Sequence, residues 1–324
     1  LASRADGLNG VNPSLLSLKG GGARNNAFKA FQGYQMLQTK SNIVSNKQFS
    51  ENCWHMVLAA SEVASQTKPG QFIMLKINET HDPLFRRPFS VFRVSTIDQK
   101  SLNIEIVYKM VGRGTRYMTH LREGNQLDII GPLGNGFEFY RDKPVQILLA
   151  GGTGSASLFM LGEELSKASR ESGFQLYILL GARTKQALLL EKEFGTLNGN
   201  VLVSTNDGTY GYHGFVTEML KAALDEGKIP SNCAIYASGP EPMFKSLAPI
   251  CQHYRIPTQI SVERHMMCGI GGCFVCVCKV DINKVMEYRD LVSSHIQCSP
   301  EQWGYALVCK DGPVFHIDEV MFDE

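Results

Sequence analysis

Cys268-Gly269-Ile270-Gly271-Gly272-Cys273-Phe274-Val275-Cys276-Val277-Cys278 gathers four of the chain's nine cysteines into eleven positions. Cys268, Cys273 and Cys276 follow C-x4-C-x2-C, the plant-type spacing for a [2Fe-2S] cluster, whose fourth thiolate arrives from further along the chain. Three thiolates from one short segment converge only if the backbone curls around them. Gly269, Gly271 and Gly272 permit that curl and can turn N–H groups toward sulfur. A zinc site fits less well, because the second cysteine knuckle that such sites usually pair is missing. Disulfides fit worse: closely spaced cysteines in a large chain without a secretory signal indicate a reducing compartment, here read as the cytoplasm.

Three cysteines compete to be the fourth ligand. Cys278 stands two residues beyond Cys276 and would crowd one side of the cluster. Cys298 lies in the polar stretch S-S-H-I-Q-C-S-P. Cys309 follows a strand-like run at 305–308 and precedes the Asp311-Gly312-Pro313 turn, a rigid setting for a thiolate. The 32 residues between Cys276 and Cys309 do not argue against it, since doubling a loop costs only about 0.6 kcal/mol.

Upstream of the cysteines the texture is α/β from Pro144 onward. Residues 145–150 read as a buried strand, Gly151-Gly152-Thr153-Gly154-Ser155 as a glycine-rich turn, and 157–170 as an amphipathic helix. Further strands at 176–180, 201–205 and 234–238, with helix-like stretches at 187–194 and 215–225, imply a doubly wound parallel sheet. Ligands of such sheets sit at the carboxyl ends of the strands, where Gly151 to Gly154, Thr205 to Gly208 and Ser238-Gly239-Pro240 offer a nucleotide site.

Residues 41–143 are β-rich, with short runs at 54–58, 71–75, 89–94 and 102–108 that suggest a small barrel. Arg86-Arg87-Pro88-Phe89-Ser90 and the turn Val111-Gly112-Arg113-Gly114-Thr115 stand out within it. An arginine at a strand start beside a hydroxyl can clamp a diphosphate, and a Gly-x-Gly-Thr turn can offer it backbone N–H groups. Structural arginines and turn glycines would explain either segment alone. Residues 1–40, rich in Gly, Asn and Ser, read as loop or an extension.

The bulk numbers restrict the function. A formal charge of +1 and 19% charged residues give no bias toward nucleic acid or anionic membrane. The longest apolar runs are strand-sized, well short of the roughly 20 residues that span a bilayer.

The ordered motifs resemble one family closely. R-R-P-F-S at 86–90, V-G-R-G-T at 111–115, G-P-L-G-N-G-F at 131–137, G-G-T-G at 151–154, S-G-P-E-P-M at 238–243, the cysteine loop and C-K-D-G-P-V-F at 309–315 are similar to the electron-transfer subunits of NAD-dependent (class 1B) dihydroorotate dehydrogenase. These belong to the ferredoxin reductase superfamily, and the resemblance runs from about 41 to 315. It implies a multidomain β plus α/β fold: an antiparallel FAD-binding β-barrel (41–143), a doubly wound NAD-binding domain (144–262) and a small [2Fe-2S] domain (263–324). It implies that Arg87, Pro88, Phe89, Ser90, Val107, Tyr108, Lys109, Gly112, Gly114 and Thr115 hold FAD, and that Gly151, Gly152, Thr153, Gly154, Ser238, Gly239 and Pro240 hold NAD. Cys268, Cys273, Cys276 and Cys309 would be the cluster ligands.

The implied partner is an FMN-containing catalytic subunit that oxidises dihydroorotate to orotate, in a heterotetramer of two plus two chains. The long spacer with its additional Cys298, His265 in place of a common arginine, and Thr153 and Ser155 in the nucleotide turn depart from the family pattern. Two rivals remain at this level: a flavin and iron-sulfur reductase subunit of another redox complex, and a non-enzymatic iron sensor.

Overall fold

The computed structural model describes residues 36–78, 80, 82, 84–96, 101–288, 297–298 and 302–322. The extension expected over 1–40 lies outside these residues up to 35; from Leu37 the chain is already strand.

The first sheet is built from β1 (Leu37–Ser50), β2 (Cys53–Ala59), β3 (Phe72–Lys76), β4 (Arg87–Ser90), β5 (Arg93–Thr96), β6 (Leu102–Lys109) and β7 (Gln126–Leu133). Helix α1 (Ser61–Ala64) follows β2, and α2 (Arg113–Met118) follows β6. The order is β4-β3-β7-β1-β2-β6-β5, antiparallel throughout. The 14-residue β1 serves two neighbours, with residues 37–42 paired to β7 and 43–50 to β2. Inside the curl, Ile43, Met56, Leu58, Ile73, Leu75, Ile104, Ile106 and Ile129 form a buried core.

The expected barrel is an open, curled sheet rather than a closed ladder, because β4 and β5 are its unpaired ends. β4 is only four residues long, and its Pro88 has no N–H to offer a further neighbour. The run read as one strand at 89–94 breaks at Val91 and Phe92. Those two form the corner of the curl: Val91 N–H donates to Gln71 O and Phe92 N–H to Glu105 O.

The second sheet carries β8 (Val145–Gly151), β9 (Gln175–Ala182), β10 (Asn200–Thr205), β11 (Tyr212–His213), β12 (Cys233–Ser238) and β13 (Thr258–Ser261), all parallel. Its helices are α3 (Ser155–Ser172), α4 (Glu191–Phe194), α5 (Val216–Asp225) and α6 (Glu241–Tyr254). The order β11-β10-β9-β8-β12-β13 reverses direction of travel between β8 and β12, the switch point where open α/β sheets bind ligands. Both faces of β8 are covered. Val145, Ile147 and Leu149 join the core with α5 and α6, while Leu148 and Ala150 join the core with α3. The helix expected at 187–194 is instead a 3-10 turn at Lys185–Ala187 and one turn of α4, separated by Leu190 at φ 62°. A left-handed leucine interrupts the helical hydrogen bonds.

The third sheet is β14 (Val277–Asp281), β15 (Gln297–Cys298) and β16 (Trp303–Leu307) in the order β14-β16-β15, with α7 (Ile282–Tyr288) after β14. The chain then returns as β17 (Val314–His316), antiparallel on the outer edge of β13. One continuous core joins these parts: Phe72 and Met74 of β3, Ile147 and Leu149 of β8, and Cys276, Cys278, Leu307 and Cys309 all belong to it. Among the described residues no helix is long and apolar enough to cross a membrane.

Candidate functional site

Arg86 and Arg87 are adjacent but differently used. Arg86 is committed to β7, with its guanidinium 2.9 Å from the Asp128 carboxylate and donating at 2.9 Å to the Asp128 carbonyl. Arg87 turns toward the other singled-out turn: a Cβ added at Gly114 would stand 2.6 Å from Arg87 Nε. The two segments are therefore brought together, and a side chain at 114 would require the Arg87 guanidinium to move. Burial lowers the Arg87 pKa from its usual value, opposed by Asp82. Arg87 also donates to the Phe85 carbonyl.

Thr115 shapes the turn by accepting the Val111 and Gly112 N–H groups at 2.9 and 3.1 Å. Phe89 meets the Tyr108 ring edge-on at 5.9 Å between centroids, and the Tyr108 hydroxyl donates to Asn46 at 3.1 Å. Burial pushes the Tyr108 pKa up to about 12, so the phenol stays protonated. Pro88, Ser90 and Val107 are half-buried, while Lys109 and Gly112 are exposed. The run read as a strand at 71–75, which sequence reasoning left without a role in the site, is β3, and this segment lies against it: Phe72 pairs Ser90 and Met74 pairs Pro88.

At the switch point the glycine turn after β8 packs on the turn after β12. A Cβ at Gly154 would stand 2.4 Å from the Ser238 carbonyl oxygen, and one at Gly239 would stand 3.1 Å from the Gly151 Cα. The Ser157 and Ser238 hydroxyls hydrogen-bond at 2.7 Å, locking the first turn of α3 to the end of β12. Gly152 (φ 57°) faces open space and Thr153 is exposed, and the 18-residue α3 begins at Ser155. The 3-10 turn Gly152–Gly154 runs straight into α3, so the N–H groups that lead the helix are those of the glycine turn, a setting that suits a pyrophosphate.

The cysteines lie in two pairs. Cys268 and Cys273 share a side-chain hydrogen bond, as do Cys276 and Cys309. Cys268 Sγ accepts the Ile270 and Gly272 N–H groups at 3.4 and 3.3 Å, and Cys276 Sγ accepts the Cys309 N–H at 3.4 Å. Burial raises the Cys268 pKa, but these donations outweigh it and the thiol ends below its ordinary value. In the second pair the contact between the two thiols lowers the Cys276 pKa and raises that of Cys309.

Among the described residues no group of three or more His, Cys, Asp or Glu side chains surrounds a single metal position. Within the stretch expected as a small [2Fe-2S] domain, 263–324, the described residues form the cysteine loop, α7 and the three-stranded sheet, with β17 returning to β13. Four cysteine thiols, two of them accepting main-chain N–H groups, are nonetheless a donor set that fits a two-iron group. Cys278 is buried on β14 opposite Ala306, and the side chain of Cys298 lies outside the described residues. Cys53, Cys233 and Cys251 are buried packing residues, and His213 and His253 are exposed.

Comparison with known proteins agrees with this layout. Residues 40–138 match the oxidoreductase FAD-binding domain family, and 148–248 match the oxidoreductase NAD-binding domain family. The dihydroorotate dehydrogenase B (NAD(+)) electron transfer subunit of Bacillus velezensis is 33% identical over 287 residues, spanning 88% of this chain and 99% of the relative. The subunit of the same name from Geobacillus thermodenitrificans is 34% identical over 285 residues, spanning 87% and 98%. Among solved structures, NADH-dependent reduced ferredoxin-NADP oxidoreductase is 27% identical with a TM-score of 0.67, covering 87% of this chain and 89% of that one. The ferredoxin reductase of carbazole 1,9a-dioxygenase, 19% identical with a TM-score of 0.58 over 69% of this chain and 68% of that one, shares the fold. With two thirds of its length and more aligned at such identity, and the motifs in register, this chain belongs to the family of dihydroorotate dehydrogenase B (NAD(+)) electron transfer subunits.

Proposed function

We propose that the chain joins a nicotinamide site, a flavin site and a two-iron site as the electron-transfer component of an NAD-dependent dihydroorotate-oxidising enzyme. The observation that supports this best is the setting of β3. Met74 pairs on one edge with Pro88 of the flavin segment, and a Cβ at Gly269 in the cysteine loop would stand 2.5 Å from its Cγ. In this reading one strand separates the two redox sites.

FAD would be held by Arg87, Pro88, Phe89 and Ser90, by Val107, Tyr108 and Lys109, and by the turn of Gly112, Gly114 and Thr115. The nicotinamide dinucleotide would lie on Gly151, Gly152, Thr153 and Gly154, facing Ser238, Gly239 and Pro240. Cys268, Cys273, Cys276 and Cys309 would hold the [2Fe-2S] cluster. When bound, FAD exchanges hydride with the nicotinamide and gives or takes single electrons, and the cluster carries one electron at a time. The chain's own residues do the rest. Arg87 offers positive charge to a diphosphate, the glycine turn that leads into α3 offers N–H groups, and the Cys268 and Cys276 sulfurs accept main-chain N–H groups. No side chain is asked to act as a general acid or base.

The partner in this reading is an FMN-containing subunit that oxidises dihydroorotate, in a two-plus-two complex in the cytoplasm. Ile270, Phe274 and Val275, 50%, 48% and 40% exposed, give the cysteine loop an apolar outer face suited to such a partner. A second reading, a reductase serving a ferredoxin-like partner, draws on the 0.67 TM-score to the NADH-dependent ferredoxin-NADP oxidoreductase. Co-expression with the FMN subunit decides between them. The purified complex should be flavin-coloured and reduce NAD+ when dihydroorotate is added; a colourless chain, or one that forms no complex with that subunit, would sink the first reading.

A further inference from the structure

We propose that Asn135 is a positioning residue for electron passage, fixing the Cys309 turn on the flavin module. The proposal rests on the electron-transfer reading above and deepens it. Asn135 follows β7, and its main-chain N–H donates to Gly312 O at 2.6 Å. Its carboxamide nitrogen donates to Asp311 O at 2.9 Å and Lys310 O at 3.4 Å. One residue therefore takes three consecutive carbonyls directly after Cys309.

Both sides of this clamp are themselves anchored. On the barrel side Gln71 Nε2 donates to Gly134 O at 2.6 Å, and Phe137 N–H to Pro69 O at 2.9 Å. On the cysteine side the Asp311 carboxylate accepts the Leu307 N–H at 2.7 Å, while Asp311 N–H donates to Leu307 O at 2.7 Å. Cys309 lies between these residues in a closed turn and cannot shift without them. The Asp311-Gly312-Pro313 turn is bridged to the barrel at Asn135–Pro313.

The link is more than a tie between two modules, because of what stands beyond it. Phe72 and Met74 point from β3 into the core that contains Cys276 and Cys309, whereas Ile73 and Leu75 point into the barrel core. The opposite edge of β3 carries Ser90 and Pro88. Loosening the clamp would free the Cys309 turn to move relative to β3 and the flavin segment paired to it. Electron tunnelling falls steeply with distance. The chemistry at 135 is specific: the Lys310 and Asp311 carbonyls need side-chain donors, which a carboxamide supplies and a carboxylate does not.

The test uses the full chain loaded with FAD and iron, as wild type and as Asn135→Ala, Asn135→Asp and Asn135→Gln. Amide hydrogen exchange at residues 309–311 should speed up roughly tenfold in Asn135→Ala, the loss of about one hydrogen bond. On rapid mixing with NADH, the flavin should bleach at the wild-type rate while the reduced-cluster signal in electron paramagnetic resonance grows several-fold more slowly. Asn135→Asp should be slower still, and Asn135→Gln should recover part of the rate. Equal slowing of both steps, wild-type cluster reduction in the Ala and Asp variants, or unchanged exchange would overturn the proposal. Wild-type protein that holds FAD but no iron after anaerobic purification would remove the two-iron reading itself, and the proposal with it.

Discussion

Arg87 and Gly114 make a paired test of the flavin site. Arg87→Ala should lose FAD, because a diphosphate would forfeit a charge-assisted contact of about 1.5 to 3 kcal/mol. Gly114→Ala should do so without removing any charge, since its methyl group would displace the Arg87 guanidinium 2.6 Å away. Flavin absorbance per chain measures both, and full retention in either variant would contradict the assignment. For the sulfur site, Cys309→Ser should abolish the [2Fe-2S] resonance while Cys278→Ser leaves it, because Cys309 pairs with Cys276 whereas Cys278 lies opposite Ala306. The reverse pattern would reassign the ligands.

Residues of this kind were legible because chemistry demands rare types: a clamp arginine, a cysteine at fixed spacing, a glycine at a close approach. Asn135 was not. Asparagine after a glycine is ordinary turn composition, and its partners at 310–312 are main-chain carbonyls that leave no mark on side-chain identity.

At the scale of elements, the glycine turn after β8 was readable and its partner turn after β12 gives it a mechanical meaning. Gly154→Ala would put a methyl group 2.4 Å from the Ser238 carbonyl oxygen, forcing apart the two turns at the switch point. The expected result is a KM for NADH raised about tenfold or more, with flavin content unchanged; an unaltered KM would count against the nucleotide site. β1 was missed for a physical reason. L-Q-T-K-S-N-I-V-S-N-K-Q-F-S holds few apolar residues and buries only Ser41 and Ile43, and pairing to β7 and β2 rather than composition makes it a strand. The corner at Val91 and Phe92 was hidden because both are buried and apolar, as a strand's residues would be.

Between β2 and β6, His55 Nε2 lies 2.7 Å from the Glu105 carboxylate. Burial raises the Glu105 pKa, but hydrogen bonds from His55 and Ser95 outweigh it and leave the value below the usual 4.5. A depressed folded value means stability that is present above pH 4.5 and lost as pH falls through the folded pKa. Glu105→Gln should therefore unfold with a flatter acid limb in denaturant titrations below pH 4.5, and a parallel limb would refute the linkage.

At the scale of the molecule, the core that joins Met74, Leu149, Leu220, Cys276 and Cys309 makes the cysteine loop part of the same packed body as the parallel sheet. Metal held only by the folded form adds to its stability. Chelating the iron should lower one shared thermal midpoint by about 2 °C or more, reported alike by probes in either sheet. An unshifted transition in the parallel sheet would show the two parts to be uncoupled.

The antiparallel β17 that seals the edge of β13 has a consequence for biosynthesis. Residues 145–261 leave the ribosome first, and β17 begins only at Val314, after the cysteine loop and its hairpin. At roughly 5–20 residues per second, the N–H and C=O groups along the outer side of β13 stay bare for several seconds of translation. An uncovered edge of that kind recruits other strands, including those of neighbouring nascent chains. A translational stall within 262–313 should accordingly be paid in aggregated product, and charging the exposed side of the chain there would do nothing to shorten the wait.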